Sequence, residues 1–247
     1  MPPVIVNLNL SDSVGQNGRN HPQDVLTIKN RLADLGYPVI RDTIVNSETI
    51  AIIKLFQSII KGETTIIGDG RIDLNGPTLK FLQSANAPQW LEMPKGSASE
   101  GFINYDERQG DNHDFGTHWM VETIQDAAQI YLATYLSSHP TAALIQTNDL
   151  SKPKGGLTSA HATHQTGLSC DLRLPHKDGQ AGGITFRDAQ FDRDAMRAML
   201  QAIRNQNKYK IKRIFLNDLT LIAEGLCKNA PGHDNHVHLD IIPPQPQ

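Results

Sequence analysis

The chain is expected to fold as an α+β protein, with a small three-helix N-terminal unit followed by an α+β unit built on a mostly antiparallel central sheet. Three observations predict this. Apolar residues recur at helical spacing in three short segments before residue 90. A stretch without period, rich in proline, glycine and small polar residues, follows. Beyond it, helical segments alternate with four short strand-like runs whose connections are short or irregular, the pattern of an α+β domain. The expected boundaries are 1–90 for the helical unit, 91–104 for a linker and 105–247 for the second unit, and a chain of 247 residues has room for two cores.

The first helix is expected over "PQDVLTIKNRLADLGY", where Val25, Ile28, Leu32 and Leu35 share a face, a proline opens the run and Gly36 stops it. The second starts near Ser47, an N-cap residue type, and runs through "ETIAIIKLFQSIIK" to Gly62. The third, "GPTLKFLQSAN", places Leu79 and Leu82 on one side. The linker "APQWLEMPKGSASEG" follows. "THWMVETIQDAAQIYLATYLSSH" then has Met120, Ile124, Ala128 and Leu132 at intervals of four and predicts the longest helix, packed on a sheet. Strands are expected at "AALIQTND", "LSCDLRL", "IKRIFLN" and "HVHLDII", with a helix at "FDRDAMRAMLQAIRNQ" and a glycine-rich loop at "SKPKGGLTSAHATHQTG".

Composition excludes several classes of function. A net charge of -3 argues against a nucleic-acid partner. No run reaches the roughly 18 apolar residues of a membrane span, and "MPPVIVNLNLSDSVG" has neither the basic start nor the cleavage site of a secretory signal. Two cysteines, Cys170 and Cys227, cannot make a disulfide framework or a four-cysteine zinc site, leaving buried thiols or a single disulfide.

The histidines are the chemical signal. Five of the ten lie in "HATHQTGLSCD" and "GHDNHVHLD". Alternation along "LSCDLRL" sends Leu168, Cys170 and Leu172 to the core and puts Ser169, Asp171 and Arg173 on the other face, near His161 and His164. His236 and His238, two apart, share a face of the last strand, with Val237 and Leu239 packing behind. A catalytic zinc takes three ligands, imidazole nitrogens or carboxylate oxygens at about 2.0–2.2 Å, and keeps a fourth position for water. Two histidines and Asp171 satisfy that count, and the remaining histidine of the H-x-H strand can act as a base. His21, His113, His118, His139 and His176 read as ordinary surface or loop histidines, although Asp111, His113 and Asp114 share a polar loop that could line a cleft. Asp149 ends a strand, where it either faces the same cleft or forms a turn.

Two resemblances sharpen this reading. "DVLTIKNRLADLGY", "ETIAIIKLFQ" and "DGRIDLNGPTLKFLQ" resemble the peptidoglycan-binding type of three-helix domain. "SAHATHQTGLSCDLRL" followed by "GHDNHVHLDI" resembles the penicillin-insensitive murein endopeptidases, within the wider group of lysostaphin-like and D-alanyl-D-alanine-cleaving zinc peptidases, over about residues 105–242. The second resemblance implies that His164, Asp171 and His238 bind Zn2+ and that His236 is the catalytic base or transition-state stabiliser. It also implies that His161 and His233 orient ligands or substrate; Asp149, where it faces the cleft, is the further supporting candidate read from its place at the strand end. The implied substrate is the stem-peptide crosslink of peptidoglycan, between D-alanine and meso-diaminopimelate; a D,D-carboxypeptidase and a non-catalytic wall-binding protein are the alternatives.

Two residues depart from the family's pattern. Ser169 stands where an acidic residue is common, which changes the surroundings of the ligands. Asp240 follows the H-x-H where a basic residue is usual, and is expected to weaken contact with an anionic stem peptide. The lack of a recognisable signal peptide suggests synthesis in the cytoplasm and action in the periplasm or cell wall after phage lysis or contact-dependent secretion. A type VI effector of this kind would have a secretion-machine component or a cognate immunity protein as partner.

Overall fold

The computed structural model describes residues 5–105, 110–159 and 161–247, so the first four residues of the stretch read for a signal peptide lie outside it. Its fold is α+β with mostly antiparallel sheets. The N-terminal helices are α1 (Pro22–Asp34), α2 (Ser47–Ile60) and α3 (Pro77–Gln83). They bury Val25, Ile28, Leu32, Ile52, Phe56, Ile59 and Leu82 against one another. Short strands β1 (Val14–Gly15) and β2 (Arg71–Ile72) pair antiparallel beside them. After α1 the chain reverses at Gly36, whose φ of +88° and whose contact with the Trp90 carbonyl leave no room for a Cβ. The N-cap of α2 is Asn46 rather than Ser47: its side chain accepts the Thr49 amide at 2.9 Å, so Ser47 is the first helical residue.

Residues 91–104, expected as a linker, are built into sheets. They contain most of β3 (Trp90–Glu92), β4 (Gly96–Ser97) and β5 (Phe102–Asn104). Strands of two or three residues are too short to show a period-2 pattern, which is why composition alone read as linker. β3 pairs with β6 (Phe115–Thr117). The main sheet has the order β4-β5-β7-β8-β10-β9, with β7 at Ile145–Thr147, β8 at Ser169–Arg173, β9 at Ile211–Phe215 and β10 at His236–Ile241; only β5 and β7 run parallel.

The long helix α4 (His118–Tyr131) is capped by the Thr117 hydroxyl and runs on into a π-helical turn, Leu132–Leu136. It packs against α5 (Arg193–Asn205), burying Trp119, Ile124 and Tyr131 on one side and Met196, Leu200 and Ile203 on the other. A one-turn helix, α6 (Leu219–Ala223), is held at its start by Asp218.

The two units share a single apolar core, and the helical unit reaches the other's key loop. Thr64 accepts the Gln165 amide at 3.1 Å, Ile66 donates to the Gln165 side chain at 3.1 Å, and the Thr166 hydroxyl donates to the Glu63 carbonyl at 2.8 Å. Segment 63–66 therefore backs the loop that carries His164. Among the described residues no helix is long and apolar enough to cross a membrane.

Candidate metal centre

Register between the central strands assembles the site. β10 faces β8 with His236 opposite Arg173, His238 opposite Asp171 and Asp240 opposite Ser169, and residues directly opposite in an antiparallel pair share a face. On the other side β10 faces β9 with His238 opposite Phe215 and Asp240 opposite Arg213. The expected alternation of β8 holds, but both of its faces are covered. Ser169 and Asp171 are as buried as Leu168 and Cys170, because loops and β10 side chains close over the polar face.

His164 comes from the loop before β8. It is buried, with a φ of +63°, a left-handed conformation unusual for a residue with a side chain and one that clusters at functional sites. Its Nδ1 lies 3.0 Å from the Leu150 carbonyl, which can only accept, so Nδ1 carries a proton and Nε2 is the nitrogen turned to the site. That Nε2 lies 3.2 Å from Asp171 Oδ1 and 3.0 Å from His238 Nδ1, and His238 Nδ1 is 2.9 Å from the same Asp171 oxygen. Residues 148–150 hold Asp171 in place through paired backbone bonds, Asn148 donating to the Asp171 carbonyl and the Asp171 amide to Asp149, each at 2.8 Å.

His161 completes a group that could hold a metal ion: His161, His164 and Asp171 each offer a ligand atom, all mutually within 4.8 Å. His161 Nδ1 is 3.7 Å from Asp171 Oδ2, and its Nε2 is 3.0 Å from Asp149 Oδ2. That bond to Asp149 pushes the His161 imidazole above its ordinary pKa. His236 Nε2 stands 3.6 Å from Asp171 Oδ2 while its Nδ1 faces the Asn235 amide oxygen at 2.8 Å; burial lowers its pKa and favours the neutral ring. His233 contacts both strand histidines, with ring centroids 4.9 Å from His236 and 5.6 Å from His238. Thus all seven predicted site residues gather at one place.

Electrostatics divide the histidines. Burial works against both Asp171 and His238, but the surrounding imidazoles hold the Asp171 carboxyl well below the usual range, and bonds to Asp171 and Asp240 push His238 up to about 9. Above this core opens a cleft lined by Asn148, Asp149, His161, Asp171, Arg173, Asn235 and His236, with Gly182, Gly183 and Gly232 at its edge. Gly182, at φ +81°, packs where a Cβ would collide with the Arg173 guanidinium.

Sequence reasoning missed two participants, left one open and misread one. His113, read as a loop histidine whose polar loop could line a cleft, lies 3.4 Å from Asp149 Oδ1 and 3.6 Å from Asp111, a second group of metal-ligand type that shares Asp149 with the cleft. Arg173 was placed on the right face but given no role, and Arg213 carried no signal in its own segment. Asp240, expected to meet substrate, is fully buried: it accepts from His238 Nε2 at 2.9 Å and from the Ser169 hydroxyl at 2.6 Å, and pairs with Arg213. It is not available to a stem peptide: although alternation puts it on the face of His236 and His238, it sits deeper along the strand, enclosed by His238, Ser169 and Arg213. Cys170 and Cys227 are buried free thiols. No family model and no curated protein matches this chain.

Proposed function

We propose that the chain is a zinc-dependent peptidoglycan hydrolase, a D,D-endopeptidase that cuts D-alanine–diaminopimelate crosslinks as a lysin or delivered antibacterial effector. One observation carries the reading. His164 Nε2, Asp171 Oδ1 and His238 Nδ1 converge within 3.2 Å of one another, and Asp171 also lines the cleft above them. Two imidazoles and a carboxylate on a rigid scaffold are the three-ligand set of a catalytic zinc site. The donor chemistry fits the ion, since the outer nitrogens of both imidazoles are occupied, by the Leu150 carbonyl and by Asp240.

When bound there, zinc supplies Lewis-acid polarisation of the scissile carbonyl and of a water. The chain's own residues do the rest. Its Nδ1 proton engaged by Asn235 and its ring kept neutral by burial, His236 presents Nε2 toward the cleft as a proton acceptor. It takes the proton from the attacking water and returns it to the leaving amine. His161, charged more readily through Asp149, lines the cleft and adds positive charge beside the developing negative charge. The Arg173 guanidinium, stacked on Tyr105 with its carbon 3.6 Å from the ring centroid, offers a fixed cation for a substrate carboxylate.

That cation also favours the second reading, a D,D-carboxypeptidase, because a terminal D-alanine carries a carboxylate. Digestion of purified sacculi, followed by mass spectrometry, separates the possibilities. Loss of crosslinked dimers is the expected result, and release of free D-alanine gives the carboxypeptidase. Unchanged fragments from a protein that still pellets with sacculi would leave only a wall-binding role.

A further inference from the structure

We infer that Asp240, clamped by Ser169 and Arg213, is a positioning residue that fixes His238 with its proton on Nε2 and its Nδ1 turned to the metal centre; this rests on the metal-site reading above. Three neighbouring strands supply the unit, Ser169 from β8, Arg213 from β9 and Asp240 from β10, and the register places them in one cross-sheet row. Asp240 has no exposed surface, yet it receives three donors. Oδ1 accepts from the Ser169 hydroxyl at 2.6 Å and from His238 Nε2 at 2.9 Å, and Oδ2 pairs with Arg213.

An ionised carboxylate has no proton to give, so the nitrogen that faces it must carry one. Nδ1 faces the Asp171 carboxylate in the same way, but it alone lies at the centre, within 3.0 Å of both His164 and Asp171, where an ion replaces its proton; Nε2 is held by Asp240 on the side away from it. The Phe215 ring, stacked against the imidazole at 6.0 Å between centroids, limits its tilt, but an aromatic face cannot choose between the two nitrogens. Only Asp240 can. A carboxylate that merely tied three strands together would be satisfied by Arg213 and Ser169; the third bond, to the histidine of the centre, is what a purely structural role leaves unexplained.

The test uses the full chain, with zinc as the probe. Competition against a chromogenic chelator at neutral pH should show that Asp240→Asn binds zinc about 10–100-fold more weakly than the wild type, the usual cost of losing such a partner. Ser169→Ala, which leaves the carboxylate and Arg213 in place, should lose several-fold and keeps the test decisive if Asp240→Asn does not fold. In zinc-loaded wild-type protein labelled with 15N-histidine, long-range 1H–15N spectra should show His238 protonated on Nε2 and ligating through Nδ1. Ligation through Nε2, or wild-type zinc affinity in both folded variants, overturns the inference and leaves the metal-site reading standing. A wild-type chain that takes up no zinc overturns both.

Discussion

The helical unit and the α+β unit each bury a carboxylate, and the contrast between Asp24 and Asp171 separates a fastener from a member of a group that could hold a metal ion. Asp24, on α1, accepts the Ser11 amide at 3.0 Å, the Ser11 hydroxyl at 2.7 Å and the Asp12 amide at 2.9 Å. Two backbone amides and one hydroxyl, all from one loop, donate to it, so the carboxylate is satisfied within the chain and pins residues 11–12 to the helix. Nearby, Lys29 is handled alike: buried, it gives its charge to Asp42 at 2.5 Å and a hydrogen bond to the Ile44 carbonyl at 2.9 Å. Asp171 faces His161, His164, His236 and His238, arriving from two distant segments. Imidazole nitrogens can exchange a proton for a metal ion, whereas backbone amides cannot. Burial of charge is common to both regions; replaceable protons belong to one.

The sharpest way to break the contrast is to remove the ligand set. Asp171→Asn or His238→Ala should abolish zinc uptake and cut crosslink hydrolysis by at least about a thousandfold, the equivalent of several kcal/mol of lost Lewis-acid stabilisation. Normal hydrolysis by either folded variant would defeat the assignment. A step smaller, His236→Ala should retain most of the zinc and lower cleavage by about 10²–10⁴-fold, the range for loss of a general base. Metal analysis and turnover on the same preparations read the two effects apart.

Much of this site was legible in the sequence. Ten histidines make a chance cluster of five rare, and the period-2 geometry of a strand puts His236 and His238 on one face whatever sheet they join. What was hidden depends on register. Ser169 and Asp240 looked like separate departures from the family pattern because they lie 71 positions apart. Directly opposed on adjacent strands, they form one hydrogen-bonded unit, and no local pattern announces which strands pair. The polar loop of His113 could be picked out, but its pairing with Asp149 could not, because that partner lies on another segment. β3, β4 and β5 were invisible because strands of two or three residues carry no period, while the five longer helices, whose periodicity is local, were expected within a few residues and the one-turn helix Leu219–Ala223 was not.

On the fastener side the effects should be smaller and confined to stability. Asp24→Ala leaves the Ser11 and Asp12 donors without their acceptor and should cost about 1.5–3 kcal/mol, the worth of hydrogen bonds to a charged group. For a chain of this size that lowers Tm by about 3–10 °C. Zinc content and specific activity at 25 °C should match the wild type. Loss of metal in a folded Asp24→Ala protein would show that the helical unit, through segment 63–66 behind the His164 loop, does more than anchor itself.

The smallest effect is a pH dependence that only a fastener should show cleanly. Burial opposes ionisation of Asp24, but its Ser11 and Asp12 donors outweigh it and hold the carboxyl below its ordinary value. In the unfolded chain the same group titrates near about 3.9. Between those two values the unfolded chain binds a proton that the folded one refuses, so folding stability falls as the pH drops. The contribution of the ionised carboxylate is therefore complete above the unfolded pKa and disappears as the pH falls through the folded one. Asp24→Asn lacks this titration while keeping the size of the side chain, and every other acid in the chain cancels when the two proteins are compared at one pH. The Tm difference between wild type and Asp24→Asn should be constant from pH 7 to about pH 5 and should narrow steadily below about pH 4. A difference unchanged down to pH 2.5 would mean that the donors of residues 11–12 bind the neutral side chain as well as the ionised one, and that Asp24 acts there by shape and not by charge.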